Sequence, residues 1–275
     1  MRLFLDSANL GEVRDIASWG VLSGVTTNPT SCAAEGVDIA TRVQEIGQLV
    51  AGPVTATIGA RGRDEFVHYG KELAAISENV VVQFAVGADT LAACRILSEA
   101  GVRIGMIHVF SAAQAVLAAN AGAAYCSPSI GRVDDLGADG IALLEEIAQI
   151  YAVQGYPTEL VAMDLGSPNH LVAAARAGAD VSAIPYDVFL QMVSNPLTDL
   201  SAERFSEDRA QVPQPFEPLG YRPTAAIPNP ETAQPLGYGY EDNPPPQYVD
   251  PYGPTRVADV ESPRYDGGFG VPPLS

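Results

Sequence analysis

Eight short apolar runs recur along the first part of the chain, and each is followed by a segment with helical periodicity. A strand that is buried on both faces of a parallel sheet is expected to be such a short, unbroken apolar run. The runs lie at residues 2–6, 23–27, 53–58, 80–84, 103–110, 123–127, 159–164 and 180–184. Between the sixth and the seventh run, four apolar residues at helical spacing share one face: Ile141, Leu144, Ala148 and Tyr151.

This alternation of strand and helix predicts an α/β fold with a parallel sheet. Eight such units within about 200 to 250 residues fit a (β/α)₈ TIM barrel. A doubly wound open sheet is the alternative, because strand counts from sequence are imprecise. We assign residues 1–211 to this globular domain.

Residues 212–275 have a different composition, since 15 of the 22 prolines lie there. A segment this rich in Pro, Tyr, Gly and acidic residues cannot bury enough apolar area to fold alone, which predicts a disordered tail. The tail repeats PLGY at residues 218–221 and 235–238 and contains PPQY at 245–248, which has the form of a WW-domain ligand. A solvated acidic spacer is the alternative reading of the same composition.

The net charge of −18 and the pI near 4.3 argue against nucleic-acid binding, which needs a basic face. No apolar run approaches the roughly 20 residues of a membrane helix, and no signal sequence is evident, so a cytoplasmic location is expected. The three cysteines are odd in number and far apart in the sequence, which indicates reduced thiols and not a disulfide framework. The chain has no nucleotide-binding motif and no metal-ligand spacing, so we expect neither cofactor nor metal.

Five segments carry a family resemblance: FLDSAN (4–9), SGVTTNPT (23–30), FSAAQA (110–115), SPSIGRVDD (127–135) and PLTDLSAERF (196–205). In this order and spacing, up to about residue 208, the chain resembles the transaldolases, in their small fructose-6-phosphate aldolase-like branch. The resemblance implies a (β/α)₈ barrel with class I aldolase chemistry, in which a lysine on the fourth strand forms a Schiff base with a ketose carbonyl. It also implies ring-shaped homo-oligomers, pentamers stacked as decamers, with the C-terminal helix packed on a neighbouring subunit.

Gln83 stands at the position that the resemblance gives to the Schiff-base lysine. An amide nitrogen is delocalised into its carbonyl and cannot form an imine. The chain has a single lysine, Lys71, whose setting in RDEFVHYGKELAAI predicts a helix surface and not a relocated nucleophile.

Other positions of the implied site also depart from the family. Thr57 replaces the acid/base glutamate, and Gly105 and Ile107 replace an asparagine and a threonine on the fifth strand. Gly166 replaces an arginine that helps to hold the substrate phosphate, and Asp164 replaces the serine of the same motif. A carboxylate at position 164 would repel a phosphate. Arg61 and Arg63 either compensate for the lost arginine or are simply loop charges.

Asp6, Thr26, Thr27, Asn28 and Arg132 are retained where the resemblance places substrate-binding or catalytic groups. The first four have an equally good structural reading, because Asn28 before Pro29 makes a natural turn and Asp6 can bond neighbouring strand ends. His108 could join Asp6 and Asp164 around a metal, but its place in the strand predicts that it faces the helix layer.

Two hypotheses follow for function. In the first, the barrel is a pseudoenzyme for aldol chemistry and serves as an oligomeric cytoplasmic scaffold whose repeated tails bind a protein partner through avidity. In the second, it is a diverged enzyme of carbohydrate metabolism that acts on a small sugar, polyol or carbonyl compound without a Schiff base, using Asp6, Asp164 and Thr57. Whether the chain is an enzyme stays open at this point, and a working class I aldolase is the least favoured reading.

Overall fold

The structure, a computed structural model, describes residues 1–211, which form a closed barrel of parallel strands. The strands run in chain order around the barrel: β1 (Arg2–Asp6), β2 (Gly24–Thr27), β3 (Val54–Thr57), β4 (Val80–Ala85), β5 (Ile104–Val109), β6 (Tyr125–Pro128), β7 (Glu159–Ala162) and β8 (Val181–Pro185). β8 closes the barrel by pairing with β1, with Leu5 opposite Ile184. The predicted (β/α)₈ barrel is therefore confirmed, and the open-sheet alternative is excluded.

The helices surround the barrel and also follow the chain order. They are α1 (Leu10–Ser18), α2 (Pro29–Ala34), α3 (Ile39–Gly47), α4 (Arg63–Ala74), α5 (Ala88–Glu99), α6 (Ala112–Asn120), α7 (Ile130–Asp135), α8 (Gly140–Gln154), α9 (Pro168–Arg176), α10 (Tyr186–Val193) and α11 (Pro196–Gln211). The predicted helical face on α8 packs inward, with Leu144, Ile147 and Tyr151 buried.

The barrel strands bury apolar side chains on both faces. The outward face packs against the helices, as Leu5, Val82 and Phe84 do. The inward face forms a smaller cluster inside the barrel, where Phe4 and Tyr125 meet edge to face at 6.3 Å. The short, unbroken apolar runs of the sequence reflect this burial on both sides.

Side chains two residues apart on a strand point to the same face of the sheet. Phe4 and Val81 lie in the inner cluster, and Asp6 and Gln83 follow them by two residues toward the carboxyl ends of their strands. This alternation brings polar groups from several strands to one end of the barrel, the end where barrel enzymes carry their sites.

The predicted tail, residues 212–275 with its PLGY and PPQY segments, lies outside the described residues. Among residues 1–211, no helix combines the length and the apolar character needed to cross a bilayer.

Candidate functional site at the barrel mouth

A cavity of about 540 Å³ opens at the carboxyl ends of the strands. All eight residues that the sequence singled out for the site line this cavity: Asp6, Thr26, Thr27, Asn28, Thr57, Gln83, Arg132 and Asp164. The strand ends of a closed barrel converge on one mouth, which is why positions far apart in sequence meet here. Their roles in binding or catalysis remain predictions.

Gln83 is almost fully buried inside the mouth, with 2% of its surface exposed. Its amide oxygen Oε1 accepts a hydrogen bond from the Thr57 hydroxyl at 3.0 Å. Gly105 faces it on the neighbouring strand, where a Cβ would stand only 3.1 Å from Gln83 Cγ. The glycine therefore makes room for the glutamine, and the threonine hydroxyl donates a hydrogen bond to the glutamine oxygen, so the three residues fit one another.

Thr26, Thr27 and Asn28 make local structural bonds at the end of β2. The Thr27 hydroxyl donates to the Thr55 carbonyl at 2.8 Å, and the Thr26 hydroxyl accepts from the Thr55 hydroxyl at 2.6 Å. The Asn28 side chain accepts from the Ser31 backbone N–H at 2.9 Å and caps α2 in a reciprocal capping box. These contacts support the structural reading of the three residues, although all of them still reach the cavity.

Asp164 and Arg132 lie next to each other at the rim. Arg132 Nε is 3.5 Å from Asp164 Oδ2, and the arginine side chain is more than half exposed. Asp164 follows β7 and has a left-handed backbone, with φ of 59°. An aspartate tolerates this conformation, but it is uncommon outside glycine and frequent at functional sites.

The Asp164 backbone also packs closely on α7. A Cβ on Gly131 would come within 2.2 Å of the Asp164 carbonyl oxygen, so this position requires glycine. The Ile130 N–H donates to the Met163 carbonyl at 3.1 Å and ties the two loops together. The backbone at Asp164 is therefore held close to the start of α7.

Asp6 has an unusual protonation equilibrium. Burial raises the pKa of its carboxyl group from the ordinary 3.8 to about 6, and the nearby negative charge of Asp164 adds to the effect. A buried carboxyl group with such a pKa can hold or release a proton near neutral pH. From the sequence, Asp6 and Asp164 were expected to point toward the barrel mouth as paired carboxylates whose pKa values could separate into acid and base roles.

His108 lines the cavity, and its predicted orientation toward the helix layer was wrong. The register between β5 and β6 shifts between Met106 and Val109, and His108 has φ of 56°. A bulge of this kind redirects a side chain that strand alternation would send to the other face. Burial lowers the pKa of the His108 imidazole, the positive charge of Arg132 lowers it further, and Asp164 opposes the shift.

Ser129, which sequence reasoning did not select, also lines the cavity. It follows β6 directly, and this position after a barrel strand is the one signal that could have indicated it. Lys71 is exposed on the outer helix α4 and does not line the cavity, which agrees with its predicted surface position. Arg61 and Arg63 are likewise absent from the cavity lining, so neither contributes a positive charge to it.

The fold and the site define the class of protein: a (β/α)₈ barrel with a polar cavity at the carboxyl ends of its strands. The sequence profile described as Transaldolase/Fructose-6-phosphate aldolase matches residues 3–218. The chain belongs to this family.

Curated relatives agree with the family assignment. A "Probable transaldolase" of Symbiobacterium thermophilum is 44% identical over 208 residues, covering 76% of this chain and 96% of the relative. One of Caldicellulosiruptor saccharolyticus is 42% identical over 217 residues, covering 78% and 99%. One of Thermus thermophilus is 44% identical over 221 residues, covering 77% and 99%. The barrel domain thus corresponds to nearly the whole length of these relatives.

Proposed function

We propose that this protein is a catalytically diverged member of its family, a pseudoenzyme for Schiff-base aldol chemistry. The observation that carries the proposal is Gln83, which occupies the buried position of the expected nucleophile with its amide oxygen bonded to Thr57. A Schiff base needs a neutral primary amine within reach of the carbonyl carbon. A carboxamide has no such lone pair to offer.

Among the described residues that line the cavity, none carries a replacement amine. Lys71 is the single lysine of the sequence, and it lies exposed on α4, outside the cavity lining. The loss extends to proton transfer, because the Thr57 hydroxyl donates to Gln83 and cannot act as a carboxylate does at neutral pH. These features support loss of the aldolase reaction as a coordinated change and not as a single substitution.

Borohydride trapping tests this proposal. The purified protein is incubated with dihydroxyacetone or fructose 6-phosphate and borohydride, which reduces any imine to a stable amine, and the intact mass and peptide map are then measured. We expect no adduct within the barrel. Gln83→Lys is the matched control, because it places a primary amine in the cavity, and an adduct at that residue would show that the cavity admits the carbonyl compound.

An adduct on Lys71 that disappears in Lys71→Arg would overturn the proposal and assign the chain a moved nucleophile. An adduct confined to the N-terminal amine of Met1, which lies at the start of β1 and away from the mouth, would not contradict it.

The working role that fits this loss is an oligomeric scaffold. Three large apolar side chains of α11, Leu197, Leu200 and Phe205, are exposed on the single chain. Burying them against another copy would remove apolar surface from water, which supports a homo-oligomer, a pentamer or decamer in the proposal. In a cytoplasmic assembly of this kind, each copy would present its own tail segment, residues 212–275, to a protein partner.

A second candidate function is favoured by the carboxyl pair at the mouth. Asp6 has its pKa raised to about 6 beside Asp164, and both line the same cavity. The barrel would then transform a small sugar or carbonyl compound by proton transfer, without an imine. Asp6→Asn tests this: loss of a measured turnover, with folding unchanged, would support the enzyme reading.

A further inference from the structure

The described residues that line the mouth cavity carry more carboxyl groups than cationic groups, before any ligand binds. Among the described lining residues, Arg132 is the single guanidinium or ammonium group, and two carboxyl groups, Asp6 and Asp164, lie in the same cavity. The Arg132 Nε is 3.5 Å from the Asp164 Oδ2. An anionic ligand would therefore compete with Asp164 for the cation that could bind it.

Further carboxylates border Arg132 on its outer side. An adjoining hollow of about 430 Å³ is lined by Arg132 and Asp164 together with Asp134 and Asp135. The Asp134 carboxylate also lies 2.9 Å from the His170 imidazole, so that histidine is not free to bind an anion either. Both hollows that Arg132 lines therefore also contain carboxylates.

The Asp164 backbone lies against α7, the helix that carries Arg132. A Cβ on Gly131 of this helix would be 2.2 Å from the Asp164 carbonyl oxygen, which shows how closely the two segments pack. Two residues further along, Gly166 has no side chain, and nothing lies within 4 Å of the position a Cβ would take there. The loop after β7 therefore places a negative charge, that of Asp164, beside Arg132 and carries no positive charge of its own.

The remaining polar groups of the cavity are uncharged. They are hydroxyl and amide groups such as those of Thr57, Gln83 and Ser129, together with the His108 imidazole. Such groups form hydrogen bonds with hydroxyl and carbonyl groups of a ligand without needing a compensating charge. A polyhydroxylated compound matches them in hydrogen-bonding capacity.

We infer that the mouth cavity takes an uncharged polyhydroxylated or carbonyl compound and excludes phosphate esters, and that Asp164 is the residue that decides between them. This inference deepens the second candidate function and rests on ligand binding at the mouth. It does not depend on the absence of a Schiff base.

Calorimetric binding at low ionic strength tests the inference with three probes: fructose, fructose 6-phosphate and inorganic phosphate. The wild-type chain, Asp164→Ser and Asp89→Asn are compared at pH 7.5. Asp89 is exposed in the first turn of α5 and outside the cavity lining, so its replacement makes the same change in net charge without touching the cavity. We expect Asp164→Ser to bind the two phosphate probes at least tenfold more tightly than the wild type, with Asp89→Asn unchanged.

Equal phosphate affinity in wild type and Asp164→Ser would overturn the inference, as would a wild type that prefers fructose 6-phosphate to fructose. If Asp164→Ser does not fold, Asp164→Asn keeps the side-chain size and removes only the charge, and the same comparison applies. Neither variant alters Gln83 or Lys71. A negative result in the calorimetric experiment therefore contradicts the inferred ligand preference alone, and the absence of a Schiff base is decided separately by the borohydride experiment.

Discussion

The hydrogen bond between Thr57 and Gln83 joins two residues of the candidate site, and its strength can be measured by a double-mutant cycle. Thr57→Val keeps the side-chain shape and removes the donor, which leaves the buried Gln83 amide oxygen without its 3.0 Å partner. Leaving a buried acceptor unpaired costs about 1 to 3 kcal/mol of unfolding free energy. This is the expected loss for the single variant.

Gln83→Leu should cost less than Thr57→Val. The Thr57 hydroxyl that it frees lies 3.4 Å from the Thr27 carbonyl and can turn to it, since Thr57 is only partly buried. The double variant replaces both polar partners by apolar groups of similar shape, a change that is nearly neutral in buried sites. We therefore expect a coupling free energy of about 1 to 2 kcal/mol between the two positions.

The assay is chemical denaturation of all four proteins at one protomer concentration, because self-association would make stability depend on concentration. Thr57→Ser keeps the hydroxyl and should retain most of the coupling to Gln83. Additive effects, within about 0.5 kcal/mol, would refute the reasoning, because they would mean that the two side chains do not share a hydrogen bond in solution.

Three further outcomes are expected. Asp6→Asn should gain stability relative to wild type as pH rises from 4 to about 6, by up to about 3 kcal/mol, and gain no more above that pH, because the pKa of Asp6 is raised from 3.8 to about 6 in the folded chain and wild-type stability is lost between these two values. Gly131→Ala should lower the melting temperature by several degrees, since its Cβ would meet a backbone oxygen at 2.2 Å, whereas Gly166→Ala has open space and should have little effect. Replacing Leu197 and Phe205 together by glutamate should reduce the assembly mass in light scattering, because both side chains are exposed apolar groups on α11.

Each of these outcomes has a result that would contradict it. A stability difference between Asp6→Asn and wild type that is flat with pH would show that Asp6 titrates normally. Equal melting temperatures for the two alanine variants would show that the loop near Gly131 can move at little cost. For the assembly, Leu136→Glu is the control, because Leu136 is an exposed leucine outside α11. If Leu136→Glu reduced the assembly mass as much as the α11 variant does, the contact between subunits could not be assigned to α11.

The sequence pattern was sufficient to predict the barrel fold and most of the residues that line the candidate site. Short apolar runs reveal strands that are buried on both faces, and the order of runs and helices then leaves few architectures. Because parallel strands end on one side of the sheet, residues such as Asp6, Gln83 and Asp164 could be assigned to one mouth before any contact was known. Their common position in the cavity agrees with that reasoning.

The orientation of His108 could not be obtained in the same way. Strand alternation predicts that it faces the helices, but the shift of register between β5 and β6 and its positive φ turn it into the cavity. A bulge depends on how two strands align along their whole length, and no local run of residues specifies that alignment. The prediction failed at a strained residue, where such failures are expected.

By itself, the sequence determined that this chain folds as a barrel and that position 83 cannot form an imine, because burial pattern and functional-group chemistry belong to individual residues. Only the tertiary structure decided which charges meet. Arg132 and Asp164 are separated by 32 positions in the chain and come within 3.5 Å because the loops after β6 and β7 are fastened to each other. Electrostatic energy depends on distance and burial, so the raised pKa of Asp6 and the contact of Arg132 with Asp164 arise only when the barrel closes.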